Sequence, residues 1–493
     1  MNFDGKRIYL DPEPVVDRQA AFEVVMIGHC PGAASKEVLF NHQSMTREMA
    51  AMGYAEQLDA LKKNSEKSDP LYNLPIPIYS LAEFLQLFPR EKSAAQENPA
   101  TLYRSRLAGS QLWLPAAVED FFRYSGSHVF KKLWVINVDQ ALAQQAFLPD
   151  EQNTTMDLRP DNAFIRALGL PRVGLMVMPD LERLQIPAHI EGVPHLRIAN
   201  PVPQFLPCST NLEDGVRERR NSEEMQQPPA PRNFGELMRQ MLAAISRFRP
   251  DLRMLISLPL DRELLGELPQ ESRSALADIN TLQKSQFAES LHRVQIIYPY
   301  VRDHRYRLMS ASGLLAGKMA ETVASKGAWR SVAGTPLAGS YEPFPRLSQQ
   351  HIEVLRNDKS IGVLRSRLQK TELDDERLSG GVFGDQTEHA RSGEISRFLG
   401  WLYRELEHMG HQLLFNVDPA DPKPLIVLQD FFNRLHQLGA LRGKTAEQAF
   451  SIQRLLSEND PSILIFIIDI APAFPIDTIR LRLQQDRLEL SRG

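Results

Sequence analysis

Five short runs of unbroken apolar residues, each of strand length, limit the folds open to this chain. They are Val24-Val25-Met26-Ile27, Leu133-Trp134-Val135-Ile136, Leu175-Met176-Val177-Met178, Met254-Leu255-Ile256 and Val294-Gln295-Ile296-Ile297-Tyr298, in which Gln295 is the one polar residue. A strand that alternates apolar and polar residues has one wet face, whereas a continuous run is buried on both. Helical patterns such as Phe234 to Phe248 and Ala116 to Tyr124 lie between the runs. Buried strands alternating with helices predict an α/β domain with a largely parallel sheet. At 493 residues the chain exceeds one ordinary core, so further units are expected.

The C-terminal part follows another pattern. Ile395 to Met409 reads as a helix with Gly410 past its end, followed by a strand from Gln412 to Val417 and a helix from Leu425 to Leu438 stopped by Gly439. A strand near Ala449 to Arg454 and the apolar strand Ile463 to Ile470 come next. The alternating segment Thr478-Ile479-Arg480-Leu481-Arg482-Leu483 closes the series with one apolar and one basic face. The first twenty residues form an extended arm, Lys6 to Leu10 and then Asp11-Pro12-Glu13-Pro14, whose prolines forbid helix. The division expected is an arm over 1–20, an α/β region over 21–368 with an outer insertion around 150–300, and a flexible linker over 369–394. An α+β domain over 395–476 and a second arm over 477–493 complete it.

Composition excludes several functions. A net charge of −4 and a pI near 6.3 do not supply the dense cationic surface that phosphate neutralisation needs, so no direct contact with nucleic acid is expected. Cys30 and Cys208 are too few for a disulfide framework. No run reaches the eighteen or so apolar residues of a membrane span, so no membrane insertion is expected, and a cytoplasmic place of assembly is. There is no Gly-x-Ser-x-Gly. Gly313 to Lys318 falls one residue short of a phosphate loop and reads as a glycine-rich turn opening a helix. His408 and His411, at i and i+3 across a helix end, read as solvated, as does Asp374-Asp375-Glu376. No catalytic residue, cofactor or metal is expected.

Several fragments, taken in order, resemble the contractile tail sheath family of phages, R-type bacteriocins and extracellular contractile injection systems. Val25 to Gly28 with the Pro31-Gly32 turn, and Ile78 to Phe84, are similar to the family's opening segments. Val118 to Phe122, Gly126, Leu133 to Val138, Gly174 to Leu181, Tyr298-Pro299-Tyr300-Val301, Ser312 to Gly317 and Lys326 to Arg330 follow in the family's order. Asn433 to Phe450 resembles its C-terminal signature. The family's "APAN" is Ser331-Val332-Ala333-Gly334 here, which leaves open a principal subunit or a paralogue in special rings next to the baseplate.

The resemblance implies a structural subunit with a subtilisin-like middle domain, assembled with copies of itself and paralogous subunits in six-fold rings around an inner tube. Baseplate and terminator or cap proteins are the further partners. Ile8, Tyr9 and Leu10 at one end, and Ile479, Leu481 and Leu483 at the other, would be arms lent to neighbours. The acceptor strand would contain Ile463, Ile465 and Ile467. Lys423, Asp430, Arg434, His436, Arg442 and Lys444 would face the tube, and Leu428, Phe431, Phe432 and Leu435 the core. A type VI secretion sheath component and a soluble α/β enzyme are the alternatives.

Overall fold

The computed structural model describes residues 22–89, 112–124, 131–149, 162–185, 233–259, 270–303, 308–358, 360–380, 391–413, 421–456, 464–473 and 479–484. The apolar runs become strands of one eight-stranded sheet. These are β1 (Glu23–Gly28), β2 (Pro75–Ile78), β3 (Leu133–Asn137), β4 (Val173–Val177), β5 (Arg253–Ser257), β6 (Val294–Tyr298), β7 (Gly362–Arg367) and β8 (Lys370–Leu373). Their order across the sheet is β8-β7-β6-β5-β4-β1-β3-β2. The six inner strands run parallel and the two edge pairs are antiparallel. Every residue of β1, β3, β4, β5 and β6 is buried. That explains the unbroken apolar runs, since helices cover both faces. β2 reads Pro-Ile-Pro-Ile and lies at an edge, where a proline's missing N–H costs no ladder bond.

Among the helices that frame the sheet and the C-terminal unit are α1 (Leu81–Leu87), α2 (Leu114–Phe122), α3 (Phe234–Phe248), α4 (Ser312–Lys326), α5 (Gly393–Leu413) and α6 (Lys423–Gln437). Ser80 opens α1 by accepting from Glu83 N at 3.2 Å, and the Glu83 carboxylate accepts from Tyr79 N at 2.8 Å. Gly313 and Gly317 do not form a turn. Both lie inside α4, against α2, where a Cβ on Gly313 would sit 2.6 Å from Ala117 Cα and one on Gly317 2.7 Å from Phe121 O. The Gly-x-x-x-Gly spacing is a helix-packing face, and backbone approach explains both glycines.

Three further expectations change. α5 runs through Gly410 to Leu413, so Gln412 and Leu413 are helical and the strand expected from Gln412 is not there; 414–417 lie outside the described residues. His408 and His411 therefore share one helix. The segment expected as a linker is partly structural: 370–373 is strand β8, and Glu376, Leu378 and Ser379 are fully buried. Residues 381–390 lie outside the described residues, as does the polar stretch Asn211 to Arg232.

α5 joins the C-terminal unit to the large sheet through buried charge. Arg397 is ion-paired to Glu376, which also accepts from Val332 N and Ser331 Oγ, both at 2.9 Å. Two turns further on, Arg404 reaches Asp251 at 2.9 Å. Arg253 of β5 donates to Gly393 O at 2.8 Å. Beyond this seam a column of rings, Trp329, Phe398, Trp401, Phe431, Phe432 and Phe450, carries the core into a sheet of β9 (Phe450–Leu456), β10 (Leu464–Ile470) and β11 (Ile479–Gln484).

Candidate assembly surface

A doubly wound sheet takes a ligand at the carboxyl ends of its strands, where the winding reverses. Here β3 and β4 flank β1, which places that point beside His29 and Cys30. The place is filled by the protein itself. The Asp180 carboxylate, fully buried, accepts from His29 N at 2.9 Å, Trp113 N at 2.9 Å, Leu114 N at 3.1 Å and Arg183 Nε at 2.8 Å. It thereby ties the end of β1 to the start of α2. Burial pushes this carboxyl up, but His29, Arg183 and the backbone donors together hold it below its ordinary range.

Glu182 lies beside it with the opposite balance. It accepts from Ser257 N at 2.6 Å, Ser310 Oγ at 2.5 Å and Ser312 Oγ at 2.8 Å, yet burial pushes its pKa up to about 7. The hydroxyls that a hydrolase would expose are enclosed: Ser310 is 3% and Ser312 0% accessible. The Cys30 thiol is buried and pushed well up by that burial. Among the described residues no cluster of His, Cys, Asp and Glu could hold a metal. What these groups do is fix strand ends to helix starts.

The surface that sequence reasoning singled out lies at the C-terminal unit. Leu428, Phe431, Phe432 and Leu435 are buried as expected. Lys423, Asp430 and Arg434 recur at i, i+7 and i+11 and so share one face of α6, with Lys423 and Asp430 exposed and Arg434 half-buried. His436 is half-buried, its Nε2 3.0 Å from Gly443 O, and leaves that face for the loop after the helix. Arg442 and Lys444 are exposed on the same loop, which Arg442 N fixes by donating to Ala471 O at 2.8 Å. The helix ends at Gly439, whose φ of +73° lets the chain turn back.

β10 is the central strand of its sheet. Antiparallel β9 pairs along one side, Phe450 opposite Ile470 through Leu456 opposite Leu464. β11 pairs along the other, with Ile479 opposite Ile470, Leu481 opposite Ile468 and Leu483 opposite Phe466. Ile465 is buried and Ile467 half-buried. In the single chain the C-terminal segment thus closes its own sheet. Ile8, Tyr9, Leu10 and Ile463 lie outside the described residues. Sequence reasoning missed Asp180, Glu182, Glu376 and Arg397. The signals available were Arg397 and Arg404 recurring seven residues apart on an otherwise apolar helix face, and the Pro179-Asp180 step after an apolar strand.

No family model and no curated protein matches this sequence. Solved structures do. A chain in the cryo-EM structure of the anti-feeding prophage helical sheath in its contracted state superposes with a TM-score of 0.51 at 14% identity, over 98% of this chain and 100% of that one. The fold is that of a contractile sheath chain. Two chains from the anti-feeding prophage baseplate share this sheath fold. The six-fold symmetrised structure gives a TM-score of 0.53 at 15% identity over 99% and 100% of the two chains. The contracted state gives 0.55 at 15% identity over the whole of both. The superpositions take in the large mostly parallel sheet and the C-terminal unit together.

Proposed function

We propose that this chain is a structural subunit of the contractile sheath around the inner tube of a phage tail-like injection system, and that it catalyses nothing. The observation that carries this reading is the likeness to a chain of a contracted helical sheath, over 98% of this chain and 100% of that one. The enclosed serines and carboxylates at the sheet's carboxyl ends support the second half of it. A sheath ring next to the baseplate is a reading within the same class, favoured by the two baseplate structures.

In this reading the α/β region holds a subtilisin-like middle domain and the subunits form six-fold rings. They are assembled in the bacterial cytoplasm into a particle that is later released. Neighbours are joined by β-augmentation, with the C-terminal strand of one copy added to the β10 sheet of the next. Because β9 and β11 occupy both sides of β10, a neighbour's strand enters only where β11 leaves. Assembly is then strand exchange: the main-chain bonds lost within one copy are regained between two. The face carrying Lys423, Asp430 and Arg434, with His436, Arg442 and Lys444 beside it, meets the tube. Exposed ion pairs contribute about 0 to 1 kcal/mol each, weak enough for the tube to be let go. Contraction is a change of lattice from extended to compact, and needs no nucleotide.

Negative-stain electron microscopy of the purified chain, beside one lacking residues 477–493, tests this. Hollow cylinders from the full chain that vanish on truncation are expected. Small closed particles from both, even when the inner tube protein is supplied, would sink the proposal.

A further inference from the structure

β10 reads Leu-Ile-Phe-Ile-Ile-Asp-Ile, six apolar residues and a single acid, Asp469. In an antiparallel pair, residues directly opposite each other share a face, where opposite charges attract and like charges repel. β9 sets Ser451 opposite Asp469, and the Ser451 hydroxyl donates to its carboxylate at 3.3 Å. β11 sets Arg480 opposite it from the other side. The acid is therefore met by a neutral hydroxyl on the β9 side and by a base on the side where strands are proposed to exchange.

The register that makes this match is the one the core allows. Ile468 and Ile470 are fully buried, and Phe450, opposite Ile470, lies 5.4 Å from the Phe432 ring of α6, so this face of the sheet is the inner one. A slip of β11 by one residue turns its apolar face outward. A slip by two residues in one direction keeps a base, Arg482, against Asp469 but brings Gln485 opposite Phe466 on the inner face. The same slip in the other direction sets Thr478 against Asp469 and Asp477 opposite Ile470. With Arg480 against Asp469, the inner face stays apolar and the acid meets a base.

We propose that Asp469 decides whose C-terminal strand the β10 sheet accepts: that of a second copy of this chain, with its base at Arg480, is admitted, and a strand with no base at that place is refused. The discrimination comes from competition. An incoming strand has to displace the resident β11, which already sets Arg480 opposite Asp469, so a strand lacking the base gives up an attraction that the resident keeps. A matched strand gives up nothing. The inference rests on the reading of the chain as a sheath subunit joined by strand exchange, and names the residue that selects the partner.

Charge reversal in full-length chains tests it. Asp469→Arg and Arg480→Asp each set like charges opposite each other, both within one copy and between copies of the same variant, so neither variant gains by exchange when alone. Mixed in equal amounts, the strand of each matches the sheet of the other. The concentration at which the mixture sediments as assembled particles is expected to be about tenfold lower than for either variant alone, with both chains in equal amounts in the pellet. A chain carrying both reversals is expected to assemble at the wild-type concentration. Wild-type cylinders in the electron microscope with no gain on mixing would overturn this selection and leave the sheath reading standing. Small particles from the wild type and no gain on mixing, even with the inner tube protein supplied, would overturn both. A doubly reversed chain that needs a higher concentration than the wild type would overturn charge as the selecting property.

Discussion

The carboxyl ends of the eight-stranded sheet and the three-stranded C-terminal sheet solve the problem of unpaired backbone in opposite ways. In the large sheet, Asp180 accepts from three backbone N–H groups that belong to two separate elements, and Glu182 bridges β5 to the start of α4. These donors are answered by side chains buried in the same body, which nothing from outside can replace. In the small sheet, β11 pairs with the main chain of β10, at the far end of the sequence. Main-chain bonds are the same whichever copy supplies them. The first arrangement makes a rigid body; the second, in the assembly proposed above, makes a joint whose two halves come from different molecules.

The contrast breaks most readily at Asp180. Asp180→Ala strands buried N–H groups and breaks the ion pair with Arg183, and is expected to cost about 3–5 kcal/mol in urea unfolding of the isolated chain. Truncation after residue 476 should leave that transition nearly unmoved. If the truncation cost as much as Asp180→Ala, the joint would be part of the body and the comparison would fail. Gly317→Val presses a side chain into Phe121 O and should cost about 1–3 kcal/mol, read as a lower thermal midpoint.

A subtler effect comes from Glu182. Its folded pKa of about 7 lies above the ordinary 4.5, so the folded protein holds a proton that the unfolded chain releases. Stability is greatest below about pH 4.5, as far as this group is concerned, and falls as pH rises through about 7. Glu182→Gln should remove that slope, seen in midpoints measured at about pH 5 and about pH 8; an unchanged slope would assign it elsewhere. Smallest of all, Lys444→Ala on the exposed loop should shift stability by less than about 0.5 kcal/mol. Its expected effect is on retention of the tube protein in a pull-down at low salt, where weak surface pairs are least screened.

The large sheet was legible because burial on both faces leaves an unmistakable mark: Val24 to Ile27 or Met254 to Ile256 cannot be anything exposed. Helix α3 was legible end to end for a related reason, its apolar stripe recurring at helical spacing. The buried acids were not. Glu376 sits in Asp374-Asp375-Glu376, and a carboxylate bound by a guanidinium from residue 397 looks in sequence like one bound by water. Asp180 left a trace in the Pro-Asp that follows an apolar strand, but its three backbone donors come from residues 29, 113 and 114. Gly410 misled because a glycine inside a helix and one beyond its end look alike, and packing along the apolar face of α5 outweighs its entropy cost. On the candidate surface, the core side of α6, expected from the resemblance and its amphipathic spacing, is buried as expected. The other side carries the charged residues Lys423, Asp430 and Arg434, whose spacing in the sequence does not name their partners.

The central position of β10 has a kinetic side. A strand with both flanks occupied is a poor template for chance encounters, since an incoming segment must wait for the resident one to let go. In the proposed assembly, newly made chains with β11 in place would thus be shielded against indiscriminate polymerisation, much as a stoppered vessel is against spillage. Growth by exchange would show a lag that pre-formed rings abolish, and would start where a seed already presents an unfilled slot. The length of the finished cylinder would then be decided by when seeding stops rather than by how much subunit the cell has made.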